Sequence, residues 1–198
     1  MAYAVLGPAG TFSEEAARRY WGSQVVLETA ESIDKLGLML ADHQAEGALA
    51  PLYNSLTGWV NPTLEILRKN LLLIKGHIEL PVRQHLMVGN PCRLQDLEVV
   101  ISHPLALRQC SQFIARNLGG AVLEPCSSTA GAARALLTET RPAACIGSYQ
   151  AARMYGLKIL RQDINLPGNI THFVHIAAPG ERNASFRLNP RRGGDYRR

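Results

Sequence analysis

Apolar and polar positions along this chain come in short blocks that switch repeatedly between a strand-like and a helix-like period. Tyr3-Ala4-Val5-Leu6 is an apolar run stopped by Gly7-Pro8, which marks a buried strand. Ser13 followed by Glu14-Glu15-Ala16-Ala17 predicts a helix capped by Ser13 and running through Tyr20. Residues 25–27 read as a strand, 32–43 as a helix carrying Ile33, Leu36, Leu38 and Leu40, and 47–50 as a strand ending at Pro51. A helix follows over 62–69, with Pro62 in its first turn. The extended stretch 71–88 is interrupted by Pro81 and predicts two consecutive strands, with the chain changing lobes near that proline.

A second series then repeats the alternation. Strands are expected at 98–101, 121–123, 143–146 and 158–160, and helices at 104–117, 128–137 and 148–155. The last strand, 171–177, is expected to return to the first lobe. Strands alternating with short helices mean α/β layers with ligand loops at the carboxyl ends of the strands. The expected architecture is therefore α/β and two-lobed, with an active site in the cleft between lobes. Lobe 1 takes residues 1–80 and 164–180, lobe 2 takes 81–163, and 181–198 form a basic, flexible tail.

Composition narrows the function. With 198 residues, 46% apolar and 19% charged, the chain is an ordinary globule with enough length for a real core. Its net charge of +5 resides mostly in residues 181–198, which hold six arginines against Glu181 and Asp195. No aromatic-studded basic face accompanies that end, so nucleic acid is not an expected partner. No apolar stretch is long enough to span a bilayer and no secretory signal opens the chain, so a cytoplasmic protein without membrane contact is expected. Cys92, Cys110, Cys126 and Cys145 are widely spaced and read as reduced, packed thiols. The histidines show no ligand grouping, so no metal is predicted.

Polar residues at the predicted strand ends are the candidate chemistry. Residues 7–13, Gly-Pro-Ala-Gly-Thr-Phe-Ser, form a glycine-rich turn into a helix, a natural carboxylate or phosphate seat. The stretch lacks Gly-x-Gly-x-x-Gly and the Lys-Ser/Thr of a phosphate loop, which excludes a nucleotide site. Asn54 and Ser55 lie in the loop opened by Pro51, where a turn role alone would also account for them. Ser102-His103-Pro104 begins a helix; with Ser102 as its cap, Gln109 lies on the same face seven residues on. His103 is a candidate general base. Ser128-Thr129 is a second helix start of this kind, suited to a carboxylate or to capping alone. Thr171 lies in the final strand, where packing is the plain alternative to chemistry.

Six of these stretches, in this order, resemble the prephenate dehydratases. Residues 7–13 match that family's Gly-Pro-x-Gly-Thr-Phe-Ser, and Pro51-Leu52-Tyr53-Asn54-Ser55 with Gly58 and Val60 is similar to its Pro-Ile-Glu-Asn-Ser-x-x-Gly-x-Val. Ser102-His103-Pro104 through Gln109-Cys110, Ser128-Thr129-Ala130 with Ala132-Ala133, and Tyr155-Gly156-Leu157 continue the series. Asn169-Ile170-Thr171-His172-Phe173 is a near match of the Thr-Arg-Phe signature. The resemblance implies a lyase of phenylalanine biosynthesis that converts prephenate to phenylpyruvate with loss of water and carbon dioxide, without a cofactor. It implies Thr171, Gln109, Ser102 and Asn54 as catalytic, and Thr11, Ser55, Ser128, Thr129, Asn169, His172 and Phe173 as substrate-binding. It also implies a homodimer and a two-lobed α/β fold that is periplasmic-binding-protein-like, with the active site in the inter-lobe cleft.

The departures are Tyr53, Thr57, Leu105 and His172. Tyr53 and Thr57 remove two carboxylates from the presumed site, and His172 removes a bidentate arginine fork whose loss costs about 1.5–3 kcal/mol. Because neighbouring strand residues point to opposite faces, His172 and Thr171 cannot both face the cleft in a regular strand. The family's C-terminal regulatory ACT domain has no room after residue 178, so no allosteric phenylalanine site is expected. Two other readings stay open: a prephenate decarboxylase of secondary metabolism, which keeps the ring hydroxyl, and a non-catalytic two-lobed binding protein.

Overall fold

In the computed structural model, which describes residues 2–179, two mixed α/β sheets share the chain. The first is built from β1 (Tyr3–Leu6), β2 (Leu27–Ala30), β3 (Ala48–Asn54), β4 (Gly58–Trp59) and β5 (Leu73–Pro81), with α1 (Phe12–Trp21), α2 (Ile33–Ala41) and α3 (Asn61–Lys69) between them. The second contains β6 (His85–Val88), β7 (Val99–Ser102), α4 (Pro104–Gln109), α5 (Ser111–Asn117), β8 (Val122–Pro125), α6 (Thr129–Ala135), β9 (Ala143–Gly147), α7 (Tyr149–Met154) and β10 (Lys158–Arg161). The final strand, β11 (Ile170–Ala177), returns to the first sheet and inserts antiparallel between β3 and β5. The sheet orders are β2-β1-β3-β11-β5, with β4 on β3, and β10-β6-β9-β7-β8.

Each sheet is buried on two faces by helices, as parallel β-α-β connections require. One face of the first sheet presents Ala4, Ala48, Ala50, Val174 and Ile176 to α2 and α3. The other presents Val5, Leu49, Leu80 and Phe173 to Ala16 and Ala17 of α1. In the second sheet, Leu86, Val88, Val100, Ala144 and Ile146 meet α4 and α5, while Met87, Val99, Ile101 and Cys145 meet α6 and α7. Cys110 and Cys145 are packing residues; burial pushes both thiols up to about 12, out of nucleophilic range.

The chain passes between sheets twice, and the two passages are laced together. Val82 N–H donates to the Asn169 carbonyl at 2.8 Å, and Gln84 N–H to Asn165 Oδ1 at 2.8 Å. Asn165 Nδ2 returns a bond to the Val82 carbonyl at 2.9 Å. Beside them His85 is buried, which lowers its pKa, and its Nδ1 accepts from Asp163 N–H at 3.2 Å. A second tie joins the sheets directly: Ser148 Oγ donates to the Gly10 carbonyl at 2.7 Å. Gly10 has φ +85°, a backbone conformation that L side chains rarely adopt, so the turn at this tie favours glycine.

Three local expectations are corrected. The first helix starts at Phe12 with Thr11 in the cap position, so Ser13 lies inside it; the Thr11 hydroxyl donates back to the Leu6 carbonyl at 3.1 Å. The helix expected over 104–117 divides at Cys110, where the Gln109 carbonyl receives Leu166 N–H from the second passage at 3.1 Å. Ser102 is the last residue of β7 and His103 caps α4, its Nδ1 accepting from Leu105 N–H at 3.2 Å. The expected tail at 181–198 lies outside the described residues.

The α1 face of the first sheet ends in an aromatic group of Tyr3, Tyr20, Trp21 and His175, with Tyr3 stacked on Trp21 at 4.2 Å. Burial, helped by Lys75, pushes the His175 pKa down to about 4. Folding thus favours the neutral imidazole: its contribution is complete above pH 6.5 and is lost as pH falls from 6.5 through about 4. Urea midpoints should therefore drop between pH 7 and about pH 4.5, by on the order of 1 kcal/mol after solvent screening, and His175→Phe should flatten that slope. Phe173→Ala, which opens a cavity under α1, should cost about 3–5 kcal/mol with an unchanged urea m-value.

Candidate active site

The carboxyl ends of β1, β3, β7 and β8 and the start of β11 meet around a cavity of about 270 Å³. Its walls include Leu6, Gly7, Thr11, Phe12 and Ser13 from the first strand-helix turn, Asn54 from β3, and Thr171 from β11. From the second sheet come His103, Leu105, Ala106, Gln109, Ser127, Ser128 and Thr129, and from the first passage Val82 and Gln84. Among the described residues, no Lys, Arg, Asp or Glu lines it. Positive potential comes instead from helix starts, since α1, α4 and α6 all begin at its wall and leave first-turn N–H groups without intrahelical acceptors.

Asn54 and Thr171 are paired residues across the β3–β11 ladder. Both are more than nine-tenths buried. Asn54 Oδ1 accepts from Leu56 N–H at 3.0 Å and Thr57 N–H at 3.1 Å, which fixes the orientation of the amide. Its Nδ2 is therefore the donor, with bonds to Asn169 Oδ1 at 2.7 Å and Thr171 Oγ1 at 2.9 Å. A hydroxyl that accepts at oxygen keeps its own hydrogen for another acceptor. Thr171 is thus held as a donor to whatever occupies the cavity. On the opposite wall Gln84 Nε2 donates to Gln109 Oε1 at 3.4 Å. Ser128 Oγ accepts from Gly131 N–H at 2.8 Å and caps α6, leaving Thr129 at the helix start.

Of the residues singled out from sequence, Asn54, Gln109, Thr171, Thr11, Ser128 and Thr129 are brought together here. Five are not. Ser102 is fully buried, with Oγ donating to the Ile146 carbonyl at 2.7 Å, so it fastens β7 to β9. Ser55 is exposed and its Oγ bridges the Gly168 carbonyl at 2.7 Å and Ile170 N–H at 2.9 Å, pinning the end of β3 to the start of β11. Asn169 lies behind Asn54 and supports it. Phe173 points into the α1 core.

His172 faces the other side of the sheet. Its ring lies 5.6 Å from that of Tyr53, the residue it pairs with on β3, and its Nδ1 lies 3.4 Å from Glu79 Oε1, its pairing partner on β5. Tyr53 in turn meets Trp59 at 5.2 Å. The departures at 53 and 172 therefore touch each other outside the cavity, where a tyrosine and a histidine occupy the places of the family's glutamate and arginine. Thr57, the other lost carboxylate, turns its hydroxyl to Asn54 Oδ1 at 3.3 Å.

Gln84 was missed by the sequence reading. The signal available was weak: a polar residue between Pro81 and the apolar 85–88 run, on a segment that must cross the cleft.

Comparison with known proteins agrees with this geometry. The family model described as Prephenate dehydratase matches residues 3–181. A bifunctional chorismate mutase/prephenate dehydratase of Stutzerimonas stutzeri is 32% identical over 176 residues, which is 88% of this chain and 48% of that protein. Arogenate dehydratase 2 of Petunia hybrida is 32% identical over 173 residues, 86% of this chain and 43% of the relative. The chain thus spans about half the length of these curated relatives. The crystal structure of prephenate dehydratase from Arthrobacter aurescens in complex with L-Phe superimposes with a TM-score of 0.84 at 28% identity, over 91% of this chain and 60% of that one. Matched over residues 3–181, the chain belongs to the prephenate dehydratase family.

Proposed function

We propose that this chain catalyses the decarboxylating dehydration of prephenate to phenylpyruvate, a step of phenylalanine biosynthesis. The observation that carries this reading is the Asn54–Thr171 bond at 2.9 Å, which presents a hydroxyl donor inside a cavity that no Lys, Arg, Asp or Glu among the described residues lines. The substrate is a ring bearing two carboxylates and a hydroxyl. Helix starts α1 and α6, with the Ser128 and Thr129 hydroxyls, supply donors for the carboxylates, while Thr11, its hydroxyl turned to the Leu6 carbonyl, shapes the α1 end of the seat. Gln109, whose Oε1 is engaged by Gln84, offers its NH₂ to the same ligand.

The reaction then needs little from the protein. As the ring carboxylate leaves as carbon dioxide, its electron pair moves through the diene and expels the hydroxyl para to it. That oxygen departs as water, taking one proton, and the ring becomes aromatic. Thr171 donates to the departing oxygen, and Asn54, by donating to Oγ1, stabilises the negative charge that grows on the threonine. The apolar walls from Leu6, Phe12, Val82 and Leu105 orient the ring and strengthen each of these bonds by excluding water.

His172 lies outside this cavity, which removes the reason its substitution offered for a non-aromatising decarboxylase. The same reading takes β1–β5 with β11 as one lobe and β6–β10 as the other, with the division near residues 81 and 163. It also carries the expectation of a homodimer in the cytoplasm.

Incubating the purified chain with prephenate and resolving the products by chromatography tests the reading. Phenylpyruvate should form, and Thr171→Ala should lower kcat on the order of 10²-fold or more. His172→Arg should change kcat/KM by less than about threefold, as expected of a residue on the far face of the sheet. A dihydro product, or no product, would sink the dehydratase reading.

A further inference from the structure

Among the described residues, His103 is the one titratable side chain on the cavity wall, and the chemistry above gives it no task. It is half-buried at the junction of β7 and α4. Its Nδ1 accepts Leu105 N–H at 3.2 Å, the bond that caps α4. A ring nitrogen that accepts carries no proton, so the imidazole is neutral and its proton lies on Nε2. A second proton, on Nδ1, would set two N–H groups against each other and uncap the helix. Among the described residues Nε2 has no hydrogen-bond partner, and unlike Gln84 Oε1 and Asn169 Nδ2 it is not sealed in the interior. One donor on the wall is therefore fixed in kind by the fold and left open to a ligand.

We propose that His103 is a substrate-binding residue that holds the side-chain carboxylate of prephenate through Nε2–H, as a neutral donor and not as a base. The inference rests on the dehydratase reading. That reaction has nothing for a base to take, since the ring carboxylate leaves already ionised and the departing oxygen gains a proton. Thr171 meets the ring hydroxyl from the first sheet. The carbon that bears the ring carboxylate and the side chain is para to that hydroxyl. It therefore lies toward the wall of the second sheet, where His103, Gln109, Ser128 and Thr129 stand. Of the two carboxylates at that end, only the side chain's survives into the product. A full positive charge there would grip the ring carboxylate too, and binding that is stronger in the ground state than in the transition state slows its departure. A neutral N–H seats the surviving carboxylate without that penalty, and no Lys or Arg among the described residues lines the wall beside it.

The test uses His103→Ser and His103→Asp, both of which can still cap α4 while lacking the Nε2 donor. Two ligands are compared: prephenate in steady-state turnover, and phenylpyruvate in calorimetric titration. Phenylpyruvate keeps the side-chain carboxylate and lacks the ring carboxylate. His103→Ser should raise KM for prephenate about tenfold or more, as for a lost hydrogen bond to a charged group, and change kcat by less than about threefold. It should weaken phenylpyruvate binding by a similar factor, and His103→Asp should raise both effects further by repelling the carboxylate. An unchanged KM in both variants makes His103 a helix cap alone and overturns the proposal. So does a kcat lowered on the order of 10²-fold at constant KM, the mark of an acid or base. A raised KM with phenylpyruvate binding unchanged puts the donor on the ring carboxylate and overturns it as well. Those three outcomes leave the dehydratase reading standing, whereas an unaltered chain that forms no phenylpyruvate from prephenate removes both.

Discussion

The hydrogen bond from Asn54 to Thr171 is the constraint on which the site depends. It joins residues 117 positions apart and exists because β11 returns, after the whole second sheet has been built, to pair with β3. Asn54 is held by a local turn and Asn169 by the opposite end of the same junction, so the amide has one orientation and the threonine one role. Ser55 and Ile170 lock the register at that point. A slip of one residue would turn Thr171 to the far face and bring His172 into the cavity.

The other half of the site is electrostatic, and among the described residues it is built from helix starts rather than Lys, Arg, Asp or Glu side chains. Three helices begin at the cavity wall, one from the first sheet and two from the second. Their dipoles and free N–H groups face a space with few competing acceptors, where partial charges act more strongly than in water. The arrangement holds only while the sheets keep their relation, which the Ser148–Gly10 bond and the laced passages at 82–84 and 164–169 secure. Gln84 belongs to one of those passages, so the element that fixes the sheets together also carries a side chain into the site.

The departures from the family signature take on a different meaning once their positions are known. Tyr53 and His172 are directly opposed on adjacent strands, and Glu79 flanks the histidine from the third. They are neighbours on one face of the sheet, and the catalytic candidates occupy the other. Cross-strand pairs are the unit of sheet stabilisation, so Tyr53 and His172 support β11 from outside the cavity.

The alternation of periods along the chain was enough to predict two α/β lobes, a crossing near Pro81 and a final strand returning to the first lobe, because burying apolar faces on sheets is a local pattern. Turn chemistry marked the strand ends that carry Asn54, Thr11, Ser128 and Thr129, and the family resemblance singled those residues out. Local patterns could not tell a hydroxyl that faces the cavity from one used for fastening. Ser102 and Thr171 look alike in sequence, yet one donates to the Ile146 carbonyl beneath the sheet and the other faces the cavity. Strand parity depends on register and on the bulge beside His172, both set by pairing between distant segments. Gln84 was silent because an amide acquires its meaning from what surrounds it. The sequence by itself determined the elements and the family; which side chains share one space was decided by tertiary structure, since proximity here is made by contacts more than a hundred residues apart.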